Sequence, residues 1–404
     1  MSTQRMKIFI LFLGIILHVR TSYSQVDSTR IDSTRASDSV TSQQIAVFIP
    51  LYLDSAFDSN ENYRYAKQIP RYMQTGLEFW EGVQLAIDSL NNEGVKLEVH
   101  VYDTRSGQKK FDQLLQEPEL QDMNLFIGHV TVNEAASLAR LAAEMQVPFI
   151  NANLPNDAGV TNNPYYVILN STLGMHSTGI YKFLQKNFAL SQIVLFTKKG
   201  QQEDRLRSYF TNAEKTTASV PLKIKTVTLE NNFTPAQLTK HLDMNITNVC
   251  IVGSLDINFG QNICQQLSSV SAKYASTLIG MPTWELVDFA RPMYKGIEVI
   301  YPSPFYANPN DKTVISITDY FKDKYFVNPT ENVFRGFESV YHFGRLLDLH
   351  KDSIDNAIGE KKFLPITDLD IQPVINKTSH ATDYFENRKL YFIKKEDGVI
   401  KAVY

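Results

Sequence analysis

Five short clusters of polar side chains follow apolar runs in this 404-residue chain: Tyr52-Leu53-Asp54, His129 through Asn133, Asn151-Ala152-Asn153, Thr197-Lys198, and Ser254 through Asn258. Trp284 stands just past a further apolar run at 276–280. Hydroxyls and carboxamides that both donate and accept, with an occasional charge, suit a site that holds a small polar solute by hydrogen bonds. They do not suit covalent chemistry. The chain has no GxSxG elbow, no GxxxxGK[ST] phosphate loop, no HExxH and no GxGxxG after its first apolar run. A lone imidazole such as His129 is more often a hydrogen-bonded structural group than a base. The candidate ligand-binding residues are therefore Tyr52, Asp54, His129, Thr131, Asn133, Asn151, Asn153, Asp256, Asn258 and Trp284. No catalytic group, metal ligand or cofactor is expected, and the chain does not read as an enzyme. Each of the polar residues has a second account as a helix cap, and Thr131 with Glu134 has the spacing of a capping box.

The elements that must position these groups alternate. Ile45 to Leu53 and Lys96 to Asp103 read as strands, and between them Gln74 to Gly94 reads as an amphipathic helix. Leu77, Trp80, Val83, Ile87 and Leu90 form its stripe, Thr75 and Glu78 its capping box, and Asn91, Asn92 and Gly94 its stop. Strand, helix and strand make a βαβ unit, because parallel strands need such a crossover. The pattern continues with a helix at 108–115, a strand at 124–129, a helix at 132–145 and a strand at 147–152. Pro, Asn, Asp and Gly break it at 153–164. A second series then runs from a helix at 171–188 through strands at 192–197, 222–229, 248–253, 276–280 and 296–301. Two long helices at 311–326 and 333–350 follow, and a hairpin around Asp397-Gly398 closes the chain. In open parallel sheets, ligands sit beyond the carboxyl ends of the strands, where helix N-termini point unsatisfied amides at them. The fold class is α/β, with two doubly wound, Rossmann-like lobes in series.

Composition supports two globular lobes: 43% of the residues are hydrophobic and 21% charged, and a single core rarely grows past about 250–300 residues. A net charge of -3 gives no reason to expect nucleic acid as a partner. Arg5 and Lys7, the apolar run Ile8 to Leu17 and the small polar stretch Thr21 to Ser24 read as a cleaved export signal. That run is shorter than the roughly 20 residues a membrane span needs. No cysteine follows it, so a lipid anchor on a new N-terminal cysteine is not expected, nor is an integral membrane protein. The mature chain is expected in the periplasm or secreted. Residues 25–44, with two copies of Asp-Ser-Thr-Arg, read as a flexible linker. Cys250 and Cys264, the two cysteines, read as buried thiols, although export would permit a disulfide.

The order of these pieces resembles the type I periplasmic solute-binding proteins, the leucine/isoleucine/valine-binding type of receptor for ABC importers. The resemblance rests on an apolar strand ending Ile49-Pro50-Leu51 and on Gly76 to Asn92 with Glu81-Gly82, Leu85-Ala86 and Asp88. Val101-Tyr102-Asp103-Thr104, Phe126 to His129, Val147 to Ile150 and Asn163-Pro164-Tyr165-Tyr166 add to it. Ile251 to Gly253, Gly280 and Gly336 to Tyr341 follow in order. It spans nearly the whole chain after residue 44. It implies two lobes joined by three crossovers that close on a ligand, the first at 45–170 and 301–360 and the second at 171–300 and 361–404. It implies capture of a small polar, amino-acid-like solute for an ABC permease or a sensor. An envelope interaction module on the same scaffold, docking for instance on a cell-wall synthase, is the alternative. The amino-acid binders' ligand-holding serine, threonine and acidic residue fall near Val132, Leu154-Pro155 and Pro282-Thr283 here, so the resemblance carries the fold and not the amino-acid specificity.

Overall fold

The computed structural model describes residues 42–65, 68–396 and 399–403; the expected export signal, most of the linker and the Asp397-Gly398 turn lie outside them. In chain order come β1 (Gln43–Ile49), α1 (Leu53–Ala56), α2 (Arg71–Asn92), β2 (Leu97–Asp103), α3 (Phe111–Leu114), β3 (Leu125–Gly128), α4 (Val132–Met145), β4 (Phe149–Asn151) and β5 (Tyr166–Ile168). There follow α5 (Leu173–Phe188), β6 (Ile193–Thr197), α6 (Gln201–Thr216), β7 (Ile224–Thr228), α7 (Pro235–Thr239), β8 (Asn248–Val252), α8 (Ile257–Val270), β9 (Ser276–Ile279) and β10 (Glu298–Ser303). The chain ends with α9 (Lys312–Tyr325), α10 (Glu331–His350), β11 (Ile371–Ile375), β12 (Thr382–Asn387), β13 (Tyr391–Glu396) and β14 (Val399–Val403).

These elements form two compact units. One takes the described residues up to Leu154 with Ala158–Val167 and Ala307–Ile366; the other takes Pro155–Asp157, Ile168–Tyr306 and the described residues from Thr367. In the first unit, β4, β3, β1 and β2 lie side by side in that order and all parallel, with Val47 level with Val101 and Ile127. In the second the order is β14-β13-β10-β9-β8-β6-β7; β10, β9, β8, β6 and β7 are parallel and the terminal hairpin is antiparallel. Continuous apolar strands belong in a sheet covered on both faces, and β6 shows why. Val194 and Phe196 face a core shared with Cys250, Val252, Ile263 and Leu278. Ile193 and Leu195 face the opposite core with Ile180, Leu184, Leu206 and Phe210. The two-lobe α/β fold read from the sequence is the fold observed. Among the described residues no helix is long and apolar enough to cross a membrane.

Cys250 and Cys264 are free and buried, as their apolar surroundings in β8 and α8 predict, and burial pushes both thiols up to about 12. The helix read over Gln74 to Gly94, α2, departs from its sequence reading. It starts at Arg71 after Pro70, so Thr75 and Glu78 do not cap it; Glu78 instead accepts from Thr330 Oγ1 (2.9 Å) and Asn332 Nδ2 (3.0 Å) at the start of α10. Its buried face is Met73, Gly76, Phe79, Gly82, Val83, Ala86 and Leu90, with Leu77, Trp80 and Ile87 only half-buried. An apolar count overlooks glycine, and glycine makes this contact. A β-carbon on Gly82 would lie 1.9 Å from the Val333 carbonyl oxygen, and one on Gly336 would lie 2.1 Å from that of Phe79. The two helices therefore meet backbone to backbone. The helix expected at 108–115 shrinks to Phe111–Leu114, Gln43 and Gln44 belong to β1 rather than to the linker, and β5, β11 and β12 were not anticipated.

Gly82→Ala should lower stability by about 1–3 kcal/mol, the usual cost of an atom forced into a full core. Urea denaturation would show a lower midpoint at an unchanged slope; an unaltered midpoint would mean that the helices part freely.

Candidate functional site

The carboxyl edge of the first unit's sheet is built around a carboxylate that the candidate residues did not include. Asp103, the last residue of β2, accepts the amides of Leu51 (2.9 Å) and Tyr52 (3.1 Å) on Oδ1 and of Leu53 on Oδ2 (2.8 Å). It also accepts the amide of Arg105 at 2.9 Å. These charge-assisted bonds hold Tyr52 at φ 58, ψ 37, a left-handed conformation that a bulky residue keeps only when its surroundings enforce it. The sequence signal for Asp103 is its place at the end of an apolar strand; the pairing of β1 with β2 brings it beside Tyr52. Asp54 fastens the next loop, accepting from Ser106 Oγ (2.7 Å) and the Gly107 amide (2.8 Å).

The tyrosine-rich stretch after Asp54 packs back onto this edge. The Tyr52 and Tyr72 rings meet edge to face with centroids 4.8 Å apart, the Tyr65 and Tyr72 hydroxyls are 2.8 Å apart, and Tyr63 packs on Tyr65 and Phe57. Beside Tyr52, Arg105 forms a close ion pair with Glu134. Glu134 also accepts from the amide and hydroxyl of Thr131, each at 2.8 Å, closing the capping box expected for α4. Thr131, Val132 and Asn133 are exposed at this helix start.

Three of the candidates serve the unit internally. Asn151 is fully buried: its Nδ2 donates to the Tyr166 hydroxyl (2.9 Å), and its Oδ1 accepts the Leu154 amide (3.0 Å). It braces the loop after β4 and does not line a cleft. Asn153 holds both backbone groups of Val130, each at 2.9 Å. His129 is buried with its ring 5.2 Å from that of Phe79. Burial drives its pKa down to about 4, with Arg335 adding to the shift, so it is neutral and no acid–base group at neutral pH.

In the second unit Asp256 caps α8, accepting the amides of Asn258 (2.9 Å) and Phe259 (3.3 Å), and pairs with Lys198. The Lys198 hydrogen bond is the main reason its carboxyl sits below the usual range. Ser254 Oγ donates to Glu203 Oε1 at 2.6 Å, both side chains buried. Asn258 is exposed. Trp284 overturns its expectation: it is 1% exposed and fills the core against Gly260 and Gly280, where added β-carbons would come within 2.6 and 2.1 Å of its ring. The largest apolar side chain after a strand is drawn inward by its own area.

The structure thus gathers Tyr52, Asp54 and Thr131–Asn133 at the edge of the first sheet, and Asp256 with Asn258 at the start of α8. Both sets hold hydrogen-bonding groups without a nucleophile and base. Among the described residues no cluster of His, Cys, Asp and Glu could hold a metal ion.

Residues 81–267 match the family model described as receptor family ligand binding region. Several solved structures have the same architecture. A Rhodospirillum rubrum protein named for branched-chain amino acid ABC transport matches with TM-score 0.65 at 10% identity, over 90% of this chain and 100% of that one. A branched-chain amino acid ABC transporter periplasmic ligand-binding protein of Burkholderia xenovorans matches with TM-score 0.60 at 14% identity, over 90% and 94%. This is the type I periplasmic binding protein fold. A solute-binding protein of R. palustris in complex with benzoate shares it with TM-score 0.51 at 13% identity, over 90% and 95%. No curated protein matches. The resemblance read from the sequence holds, and identities this low place it at the level of the fold.

A pH experiment tests the burial of His129. Its pKa is about 4 when folded against 6.5 otherwise, so between those values the unfolded chain binds the extra proton and stability falls with falling pH. His342, likewise lowered to about 4 by burial, adds to the same loss. His129→Gln should flatten part of the decline in denaturation free energy from pH 6.5 to 4.5. An identical decline would place the imidazole in solvent.

Proposed function

We propose that this chain is an extracytoplasmic solute-binding protein that captures a small polar ligand at the strand-end edges of its two units, which act as its two lobes, for an ABC transporter or a sensor. The carrying observation is the exposed Thr131-Val132-Asn133 segment, which opens a 14-residue helix at the carboxyl edge of a parallel sheet. Thr131 is used by the Glu134 cap, which leaves the Val132 and Asn133 amides and the Asn133 side chain; such groups at a helix start bind polar groups without any special chemistry. The match to a ligand-binding family model and the transport-related titles of the structural neighbours support this reading, as does the sequence signature of export. No catalytic step is assigned to the chain.

One observation weighs against a zwitterionic amino acid as the ligand and leaves room for the second reading, an envelope interaction module. Arg105 is already paired with Glu134 and Lys198 with Asp256, so the charges nearest both edges neutralise each other. An amino acid's carboxylate and ammonium would have to displace those partners. The ligand that fits without displacement is a neutral or singly charged solute held by hydrogen bonds.

A thermal-denaturation screen of amino acids, short amides, aromatic acids and wall fragments decides between the two. A ligand at a hundred times its Kd stabilises by about 2.7 kcal/mol, well within reach of the assay. The hit should bind at least tenfold more weakly to Asn133→Ala, whose unliganded melting midpoint should match wild type because the side chain is exposed. Silence across the panel, with a protein partner recovered instead, would replace the transport reading with the docking one.

A further inference from the structure

A cavity of about 270 Å³ lies in the second unit at the opposite edge of its sheet from Lys198 and Asp256, near the amino ends of β6 and β8. Gln192, Lys225, Lys240, His241, Asp243 and Tyr274 line it. Gln192 immediately precedes β6, Lys225 lies on β7, and Lys240 and His241 follow α7. Among the described residues, neither Lys225 nor Lys240 has a carboxylate within ion-pair distance. Lys199 and Lys198, by comparison, have Glu230 and Asp256. The single carboxylate in the lining is turned to its own loop, Asp243 Oδ1 accepting from the Asn245 amide (2.8 Å) and Nδ2 (3.1 Å). The His241 Nδ1 atom is shielded from solvent and has no hydrogen-bond partner. Gln192 donates to the His241 backbone carbonyl oxygen at 3.2 Å and so ties that loop to the start of β6.

Two lysines without a carboxylate partner and one histidine thus line the same cavity, and both lysines act electrostatically on the imidazole. We propose that this cavity binds a small oxyanion such as phosphate, with Lys225 and Lys240 as its counter-charges and the His241 imidazole as a titratable neighbour in the same lining. Lysine ammoniums are compact point charges on flexible stems, so they take the anion by charge rather than by shape. The imidazole's response follows in sign. Burial first, then Lys225 and Lys240, lower the pKa of His241; an anion between the three groups offsets the lysines and favours the imidazolium. Phosphate should therefore raise that pKa.

The test uses the full chain and inorganic phosphate at constant ionic strength, with sodium chloride making up the balance. Expected are a saturable rise in melting midpoint and an upward shift in the pKa of one histidine ring, identified by its loss in His241→Asn. Lys225→Gln with Lys240→Gln should fold normally, since both lysines are exposed, and should weaken phosphate at least tenfold. Asn133→Ala shares no contact with this cavity and should leave phosphate binding unchanged, which separates this site from the proposed solute site. A non-saturating rise that the double lysine variant retains would show a general salt effect only and overturn the proposal. So would a His241 titration indifferent to phosphate.

Discussion

The first unit depends on two glycines. Gly82 in α2 and Gly336 in α10 let the helix backbones approach until no β-carbon fits between them. Helices at ordinary separation are spaced by side chains at 8–10 Å; here that spacer is missing. The closeness puts Glu78 within reach of Thr330 and Asn332. It also brings Asn332 and Arg335 to His129 at the end of β3. A contact between two helix faces thus fixes groups at the sheet's carboxyl edge, where the exposed Thr131–Asn133 segment sits.

Much of the polar chemistry at that edge goes to construction. Asp103 organises the turn after β1, Asn151 and Asn153 brace the loops after β3 and β4, and Asp54 ties α1 to the loop after β2. Loops that leave buried strands carry backbone donors and acceptors that must be paired. Short Asx side chains satisfy them with little conformational entropy to lose. A strand-end polar residue is thus recruited by two demands at once, and residue type alone does not say which demand it meets.

That ambiguity sets what was legible in the sequence. The alternation of apolar runs and amphipathic stretches reports burial directly, so the α/β class and the course of α4 over Val132–Met145 could be read from it. The Gly-mediated face of α2 could not, because an apolar count assigns glycine no weight. Nor could β11 and β12, whose mixed polar residues lack the run of a covered strand. At the site, Thr131 and Glu134 were readable as a cap because the motif is local. The burial of Asn151 and Trp284 depends on partners that only folding supplies: Tyr166, fifteen positions on, for the first, and Gly260, more than twenty positions back, for the second.

The ion pairs near the two edges bear on what such a site would select. Lys198 and Asp256 retain 20% and 36% side-chain exposure, and a pair so placed contributes at most about 1 kcal/mol. A ligand that breaks it loses little Coulomb energy, yet it must replace the charge-assisted bond and leave the Asp256 cap on α8 intact. Arg105 and Glu134 are tied further: Glu134 is 8% exposed and also completes the Thr131 cap. Removing one partner there strands a mostly buried charge, which costs several kcal/mol. The two edges are unequal in consequence. On the proposed reading, a charged ligand group would exchange into the Lys198–Asp256 pair, whereas the first unit would discriminate by hydrogen bonds, where a missing donor or acceptor is penalised far more steeply than a missing methylene.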